Sequence, residues 1–175
     1  MKKTTILISF LVVFITTVSA QVPRFTKYPI NQTGHFAYFP VDPGEFEPSK
    51  SEDGADVYTA EVEYDSSFYG IIVVDFLPGS MDGSSKEDME ELLISYIDFL
   101  QEQFMITSTA GYGKGHTLES NPNAVGVIDY WEDATGFEYK IKGWADTKSL
   151  AFLYIAGKET NINVQELFLN GFRFN

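Results

Sequence analysis

The stretch Asp56–Phe76, DVYTAEVEYDSSFYGIIVVDF, contains two different hydrophobic patterns separated by a polar turn. In its first half, Tyr58, Ala60, Val62 and Tyr64 alternate with polar residues, which is typical of a strand with one buried and one solvated face. Ser66 and Ser67 predict the turn. The run from Ile71 to Val74 is continuously apolar and predicts a central strand buried on both faces.

The next stretch, 84–104, SSKEDMEELLISYIDFLQEQF, has helical period. The sequence therefore predicts a helix over roughly residues 85–104. Two capping boxes fit its start, Ser84 with Glu87 or Ser85 with Asp88, and the acidic first turn is favourable at a helix N-terminus. Its apolar residues recur at three- and four-residue steps and form one stripe: Met89, Leu92, Leu93, Tyr96, Leu100 and Phe104.

Downstream, the sequence predicts more strands and a second helix. The glycine-rich stretch 106–118 is a weak strand candidate, 124–133 and 136–146 flank a hairpin turn, and 150–157 is again a buried-type strand. The segment 161–174, NINVQELFLNGFRF, predicts a terminal helix capped by Asn161 or Asn163, with Phe168 and Phe172 packed into the core. Residues 37–175 are therefore expected to form a single α+β domain.

The N-terminal residues 1–20 have the layout of a secretory signal peptide, with Lys2 and Lys3 before an apolar run of about ten residues. That run is shorter than the roughly twenty residues that span a bilayer. We expect cleavage after Ala20, an extended proline-rich segment over 21–36, and a periplasmic or secreted protein without a transmembrane segment in the mature chain.

Removing residues 1–20 leaves 10 basic and 25 acidic residues, a net charge of −15. Such a surface repels phosphate backbones, which argues against nucleic-acid binding. No cysteine is present, so disulfides, thiol nucleophiles and thiolate metal sites are excluded.

Motifs for catalysis or metal binding are weak. His35 and His116 are the only histidines, no Gly-x-Ser-x-Gly occurs, and GYGKGH (111–116) leads into a loop and not into a helix. The acidic clusters SEDGAD (51–56) and KEDMEE (86–91), and the acids Asp129, Glu132 and Asp133, are interpreted as solvated surface, with calcium binding by the clusters as the alternative. We expect no enzyme, no metal and no cofactor.

Aromatic residues crowd the hairpin around residues 130–144. Because neighbouring residues of a strand point to opposite faces, these side chains cannot all share one face of the sheet. Either helices cover both faces, or one set is exposed and marks a contact surface. The candidate binding residues are Tyr130, Trp131, Tyr139 and Trp144.

The order of elements resembles the PsbP-like fold, named for an extrinsic subunit of photosystem II and shared with a Ran-binding nuclear import factor. The stretches 36–46, FAYFPVDPGEF, and 56–76 look like its opening strands, and 135–159 looks like its glycine-led strand followed by an apolar strand. The stretch 168–174, FLNGFRF, is similar to its closing Phe-Leu-x-Ser-Phe motif, with Gly171 in the serine position. The resemblance implies an antiparallel sheet flanked by helices, an α/β/α sandwich, in a family of binding or assembly modules.

Three functional hypotheses follow. The first is an exported, soluble, non-enzymatic module that binds an unknown protein partner or assists assembly. The alternative is a pocket protein, in which aromatic residues between sheet and helix hold a small apolar ligand or a cation, with acids at the mouth. The third is an enzyme that uses paired carboxylates, which would have to lie about 5–10 Å apart in a cleft.

Overall fold

The computed structural model of the chain describes residues 23–157 and 161–175. The predicted signal peptide and its cleavage site after Ala20 lie outside these residues. Ten strands and two helices occur in the described part of the chain: β1 (Thr26–Pro29), β2 (Phe36–Phe39), β3 (Glu47–Lys50), β4 (Asp56–Tyr64), β5 (Ser67–Asp75), α1 (Lys86–Gln103), β6 (Ile106–Thr109), β7 (Gly113–Leu118), β8 (Asn121–Asp133), β9 (Glu138–Ala145), β10 (Ser149–Gly157) and α2 (Ile162–Leu169).

Eight of the strands form one antiparallel sheet in the order β3-β4-β5-β10-β9-β8-β6, and β7 also pairs with β8. The 13-residue β8 is long enough to pair with β7 along its first part and with β6 along its last part. Strands β1 and β2 form a separate two-stranded sheet. β1 lies in the segment 21–36 that the sequence predicts as extended.

The predicted α/β/α sandwich is wrong. The described part of the chain is mostly β, with 47% of its residues in strands and 17% in helices, and it is not a sheet flanked by helices. The physical reason is that α2 has only eight residues, too few to cover a wide sheet. The β1–β2 sheet and the C-terminal residues share that face with α2, and their residues Ala37, Phe39 and Phe172 lie in the same core cluster as Phe168 of α2.

The central strand is β10, and its residues from Ser149 to Ala156 are all buried. Its neighbours β5 and β9 pair with it along its length, so its backbone groups are satisfied without water. Alternate residues of β10 enter two separate cores. Leu153 and Ile155 pack on the side of α2, whereas Phe152 and Tyr154 pack on the side of α1.

The predicted first helix is confirmed as α1. Ser85 is its N-cap, and the Ser85–Asp88 capping box is present with both reciprocal hydrogen bonds. The buried residues of α1 are Met89, Leu93, Ile97 and Leu100, at steps of three and four. This spacing places one apolar stripe against the sheet.

The terminal aromatic residues are core residues, as the sequence predicts. Asn161 is the N-cap of α2, and both Phe168 and Phe172 are fully buried. Beyond α2, Arg173 forms an antiparallel bridge with Phe36 of β2. This bridge ties the end of the chain to the β1–β2 sheet.

In the described residues, no helix combines the length and the apolar character that a membrane crossing requires.

Three cross-strand pairs place a glycine directly opposite an aromatic residue: Gly70 with Tyr154, Gly126 with Trp144, and Gly143 with Phe152. At each glycine an added Cβ would lie closer to the aromatic ring than van der Waals contact allows. The ring of Tyr154 occupies the space that a side chain at Gly70 of β5 would fill. Its hydroxyl then reaches β4 and donates to Glu61 Oε2 at 2.6 Å. The missing side chain therefore lets one tyrosine link three strands.

We expect Gly70→Ala to lower the free energy of unfolding by about 1–3 kcal/mol, the usual cost of overpacking. Urea unfolding followed by circular dichroism measures the change. The same substitution in a Tyr154→Ala background should cost clearly less, because the ring it collides with is gone. If Gly70→Ala lowers the free energy of unfolding equally in both backgrounds, the close approach of the Tyr154 ring is not the cause of the destabilisation.

Candidate functional site

The two faces of the sheet are covered over different strands. On one face, α1 packs mainly over β8 and β9, with contacts to β6. On the other face, α2 contacts β10 and β2. Each face therefore has an incompletely covered half, and a concavity lies in each half. We name them the hairpin cleft, on the α2 face beside β8 and β9, and the helix–sheet groove, on the α1 face beside β4 and β5.

The hairpin cleft has a volume of about 330 Å³. Three of the four candidate binding residues line it, namely Tyr130, Trp131 and Tyr139, although the side chains of Trp131 and Tyr139 pack in the core on the α1 side. Its other lining residues are mostly polar: Ser108, Thr109, Ala110, Glu132, Glu138, Lys140, Ile155, Gly157 and Gln165. Glu132 and Glu138 are direct cross-strand partners. Both signs of charge therefore meet in a small, shallow site.

Tyr130 is the candidate residue with an exposed ring, at 45% exposure. The Nζ atom of Lys140 lies 4.8 Å from the centroid of this ring, within the range of a cation–π contact. Lys140 also donates a hydrogen bond to Gln165 of α2. Burial lowers the pKa of Lys140, and the nearby Glu166 opposes this shift.

The two tryptophans are structural core residues on opposite faces of the sheet. Trp131 is 3% exposed, and its Nε1 donates to Asp129 Oδ2 at 2.8 Å. Trp144 is fully buried, and its Nε1 donates to the carbonyl of Leu169 in α2 at 2.7 Å. Trp144 does not line the hairpin cleft, so the structure does not bring all four candidates together.

The interpretation of Asp129 as a solvated acid is wrong. Its side chain is fully buried, and besides Trp131 it accepts hydrogen bonds from Gln101 Nε2 at 3.2 Å and from the backbone nitrogen of Tyr130 at 2.7 Å. These donors explain why a carboxylate is tolerated beneath α1.

Lys142 lies two residues after Lys140, and the same alternation places it on the α2 face. It is 5% exposed, its Nζ donates to Asn170 Oδ1 at 2.8 Å, and it lies 4.6 Å from the Trp144 ring centroid. Burial lowers the pKa of Lys142, and Glu166 partly counteracts the shift. Together, Lys142 and Trp144 attach the end of α2 to β9.

The helix–sheet groove is larger and more apolar, with a volume of about 620 Å³. Residues of three strands form its floor, and residues of α1 form one wall. The floor consists of Val57, Ile72, Val74 and Phe152, the wall of Ser95, Tyr96, Phe99 and Leu100, and the rim of Ser49, Lys50, Ser51, Glu52 and Asp53. Phe99 is 54% exposed, so an aromatic ring borders an open apolar concavity.

The rim of the groove is acidic. Lys50 is already engaged, because its Nζ lies 2.7 Å from Asp56 Oδ1. The Ser51 hydroxyl donates to Asp53, and this hydrogen bond lowers the pKa of that carboxyl group. Burial raises the pKa of Tyr96, and the charge of Asp53 adds to the increase. Glu52 and Asp53 therefore leave a negative charge beside the aromatic wall.

The sequence suggests a pocket between sheet and helix with acids at its mouth as the alternative function, but its candidate residues do not include those that form the groove. Phe99 lies outside the predicted helical stripe, and Ile72 belongs to a run that reads as buried on both faces. The available signal is Phe99 itself, a large apolar residue on the polar side of an amphipathic helix. What brings Phe99 and Ile72 to one concavity is the position of α1 over the sheet, which no local pattern encodes.

The two histidines have different surroundings. His35 is buried, with Nε2 2.8 Å from Asp75 Oδ1 and Nδ1 accepting from the backbone nitrogen of Asn175 at 2.8 Å. His116 is half-buried on β7, and burial lowers its pKa. Within residues 23–157 and 161–175, no group of three or more histidine and acidic residues is placed to hold a metal ion.

In comparisons with known proteins, no protein-family model matches the chain, and no curated protein sequence matches it. The PsbP-like resemblance stays a prediction.

The lowered pKa of Lys142 gives a test of its burial. Between the folded-state pKa and the ordinary value of 10.5, the unfolded chain binds more protons than the folded protein, so the stability of the folded state rises with pH. We expect the free energy of unfolding of the wild type to rise relative to that of Lys142→Met as the pH increases from 7 towards 10.5.

Urea unfolding at a series of pH values measures this difference. The control is Ile155→Val, a buried substitution that removes no titratable group, whose difference from the wild type should not change with pH. If the difference in unfolding free energy between the wild type and Lys142→Met also does not change with pH, the inferred burial of the ammonium group is contradicted.

Proposed function

We propose that this protein is a non-enzymatic small-ligand-binding protein whose site is the helix–sheet groove. The observation that carries the proposal is an apolar concavity of about 620 Å³ between α1 and the sheet, bordered by Tyr96, Phe99 and Phe152. Ligand sites in proteins are typically concave, mostly apolar and about 300–1,000 Å³ in volume, with a few polar groups that orient the ligand. The groove has this size and composition.

The groove is also open without a rearrangement of the fold. Its floor consists of strands β4, β5 and β10, which are paired to one another in register, and its wall is the capped helix α1. Binding a ligand would therefore require little ordering of the protein and little loss of conformational entropy. We also propose that the protein is exported, because residues 1–20 have the pattern of a signal peptide.

A neutral fluorescent probe tests the groove. We expect N-phenyl-1-naphthylamine to bind the wild type with increased fluorescence, and Phe99→Ala to weaken that binding by about fivefold to tenfold through loss of apolar contact. Ser95→Trp, which places an indole in the groove, should abolish it. Leu167→Ala is the matched control, because it removes an exposed apolar side chain from α2, outside the groove.

Native mass spectrometry of protein purified from its exporting host adds an independent measurement. A retained small molecule that Ser95→Trp loses would support the proposal. No probe binding to the wild type together with no retained molecule would overturn it.

Binding of a protein partner is the second candidate function. It is favoured by the exposed ring of Tyr130 beside β6, whose outer edge pairs with no strand in the described part of the chain. Such an edge can accept a strand from a partner. We expect a photo-crosslinking amino acid at position 130, but not at the equally exposed Leu77, to give a defined heterologous product in the host envelope.

A further inference from the structure

The rim and the wall of the helix–sheet groove carry different information about its ligand. The wall and floor are apolar and aromatic, which selects for an apolar body. The rim includes Ser51, Glu52 and Asp53 of the acidic cluster SEDGAD, which the sequence assigns to solvated surface with calcium binding as the alternative. We propose that the ligand of the groove is a cation with an apolar body, such as an alkylammonium compound, and this inference rests on the proposed function.

The charge balance of the rim supports a cation. Among the charged residues that line the groove, Lys50 is paired with Asp56, whereas Glu52 and Asp53 have no ion-pair partner within 4.0 Å in the described residues. An uncharged ligand would leave these carboxylates as they are, and an anionic ligand would be repelled. A cation is the charge class that the rim attracts.

The aromatic wall supports the same ligand class. Tyr96 and Phe99 are three residues apart on α1, so their side chains are neighbours on the helix surface. A cationic head group over such rings is attracted by their π-electrons, and the attraction grows where the site excludes water. Asp53 and Tyr96 line the same concavity, so the carboxylate lies on the rim above the aromatic wall.

The position of the polar groups also fits an amphiphile. The acids lie on the rim, in the β3–β4 loop, and the deepest lining residues, Val74 and Phe152, are buried in the apolar core. A ligand would place its alkyl or aryl body on the floor and its cationic head at the rim. No covalent chemistry is required.

A matched ligand series tests the inference. Isothermal titration calorimetry would compare octyltrimethylammonium, octanol and octanoate, which share an alkyl chain and differ in head-group charge. We expect the cation to bind about fivefold to tenfold more tightly than the alcohol, as cation–π and rim attraction together imply, and the anion to bind most weakly.

Two sets of variants separate the sources of this preference. Glu52→Gln/Asp53→Asn should bring the affinity for the cation close to that for the alcohol and leave the alcohol unchanged. Glu119→Gln/Asp82→Asn, which removes two exposed acids that do not line the groove, should keep the preference. Tyr96→Leu should reduce it, and Tyr96→Phe should retain it, because only the first removes the ring.

The outcomes distinguish this inference from the proposed function. Equal binding of all three compounds, with loss in Ser95→Trp, would overturn the cation inference and leave a groove for apolar ligands. A cation preference that survives Glu52→Gln/Asp53→Asn would also overturn it. Binding of none of the compounds would count against the groove as a ligand site.

Discussion

The fold depends on β10 being paired on both edges and packed on both faces. A strand in that position has no contact with water, so its backbone must be hydrogen-bonded by β5 and β9 and its side chains must fill two cores. The cross-strand glycines meet this demand, because Gly70 and Gly143 leave room for the large rings of Tyr154 and Phe152. The space for bulky residues in β10 is created by its neighbours.

The groove exists because the sheet is wider than the helix that covers it. Neighbouring strands lie about 4.8 Å apart, so the seven strands along the sheet path span roughly 30 Å, whereas a helix with its side chains is about 10–12 Å wide. One helix can therefore cover only part of each face. Because α1 packs over β8 and β9, the β4–β5 half of its face stays incompletely covered. The floor of the groove is the apolar sheet surface that α1 does not reach.

The sequence predicts those parts of the structure whose signals are local. The alternation in 56–64, the capping box at Ser85 and the apolar run in 150–157 each depend on neighbouring residues, and each corresponds to an observed element. The predicted fold class, an α/β/α sandwich, is wrong because it depends on how much of each face of the sheet the helices cover. That coverage is set by the length of α2 and by the docking of the β1–β2 sheet. Its two strands have only four residues each, and β1 ends in Pro29, so their patterns are weak.

The candidate site is missed for a related reason. Aromatic crowding in the hairpin draws attention to Trp131 and Trp144, but a large aromatic residue in a two-sided sheet is most often core, and both are buried. The groove instead combines Phe99, Ile72 and Asp53 from three distant segments. Only the tertiary arrangement makes them neighbours.

The hairpin cleft and the helix–sheet groove are each lined by one lysine and two acids, but the lysine is engaged differently in the two sites, and this difference matters for recognition. Lys140 of the hairpin cleft lies over the Tyr130 ring and donates to Gln165, whereas Lys50 of the groove is paired with Asp56 and leaves Glu52 and Asp53 on the rim. The net negative charge of the chain attracts cations from a distance but does not direct them to a site. At physiological ionic strength, charges are screened beyond about 8 Å, so the local rim decides where a cation stays. In the proposed cation site, the acidic loop therefore has a role that general solubility does not require.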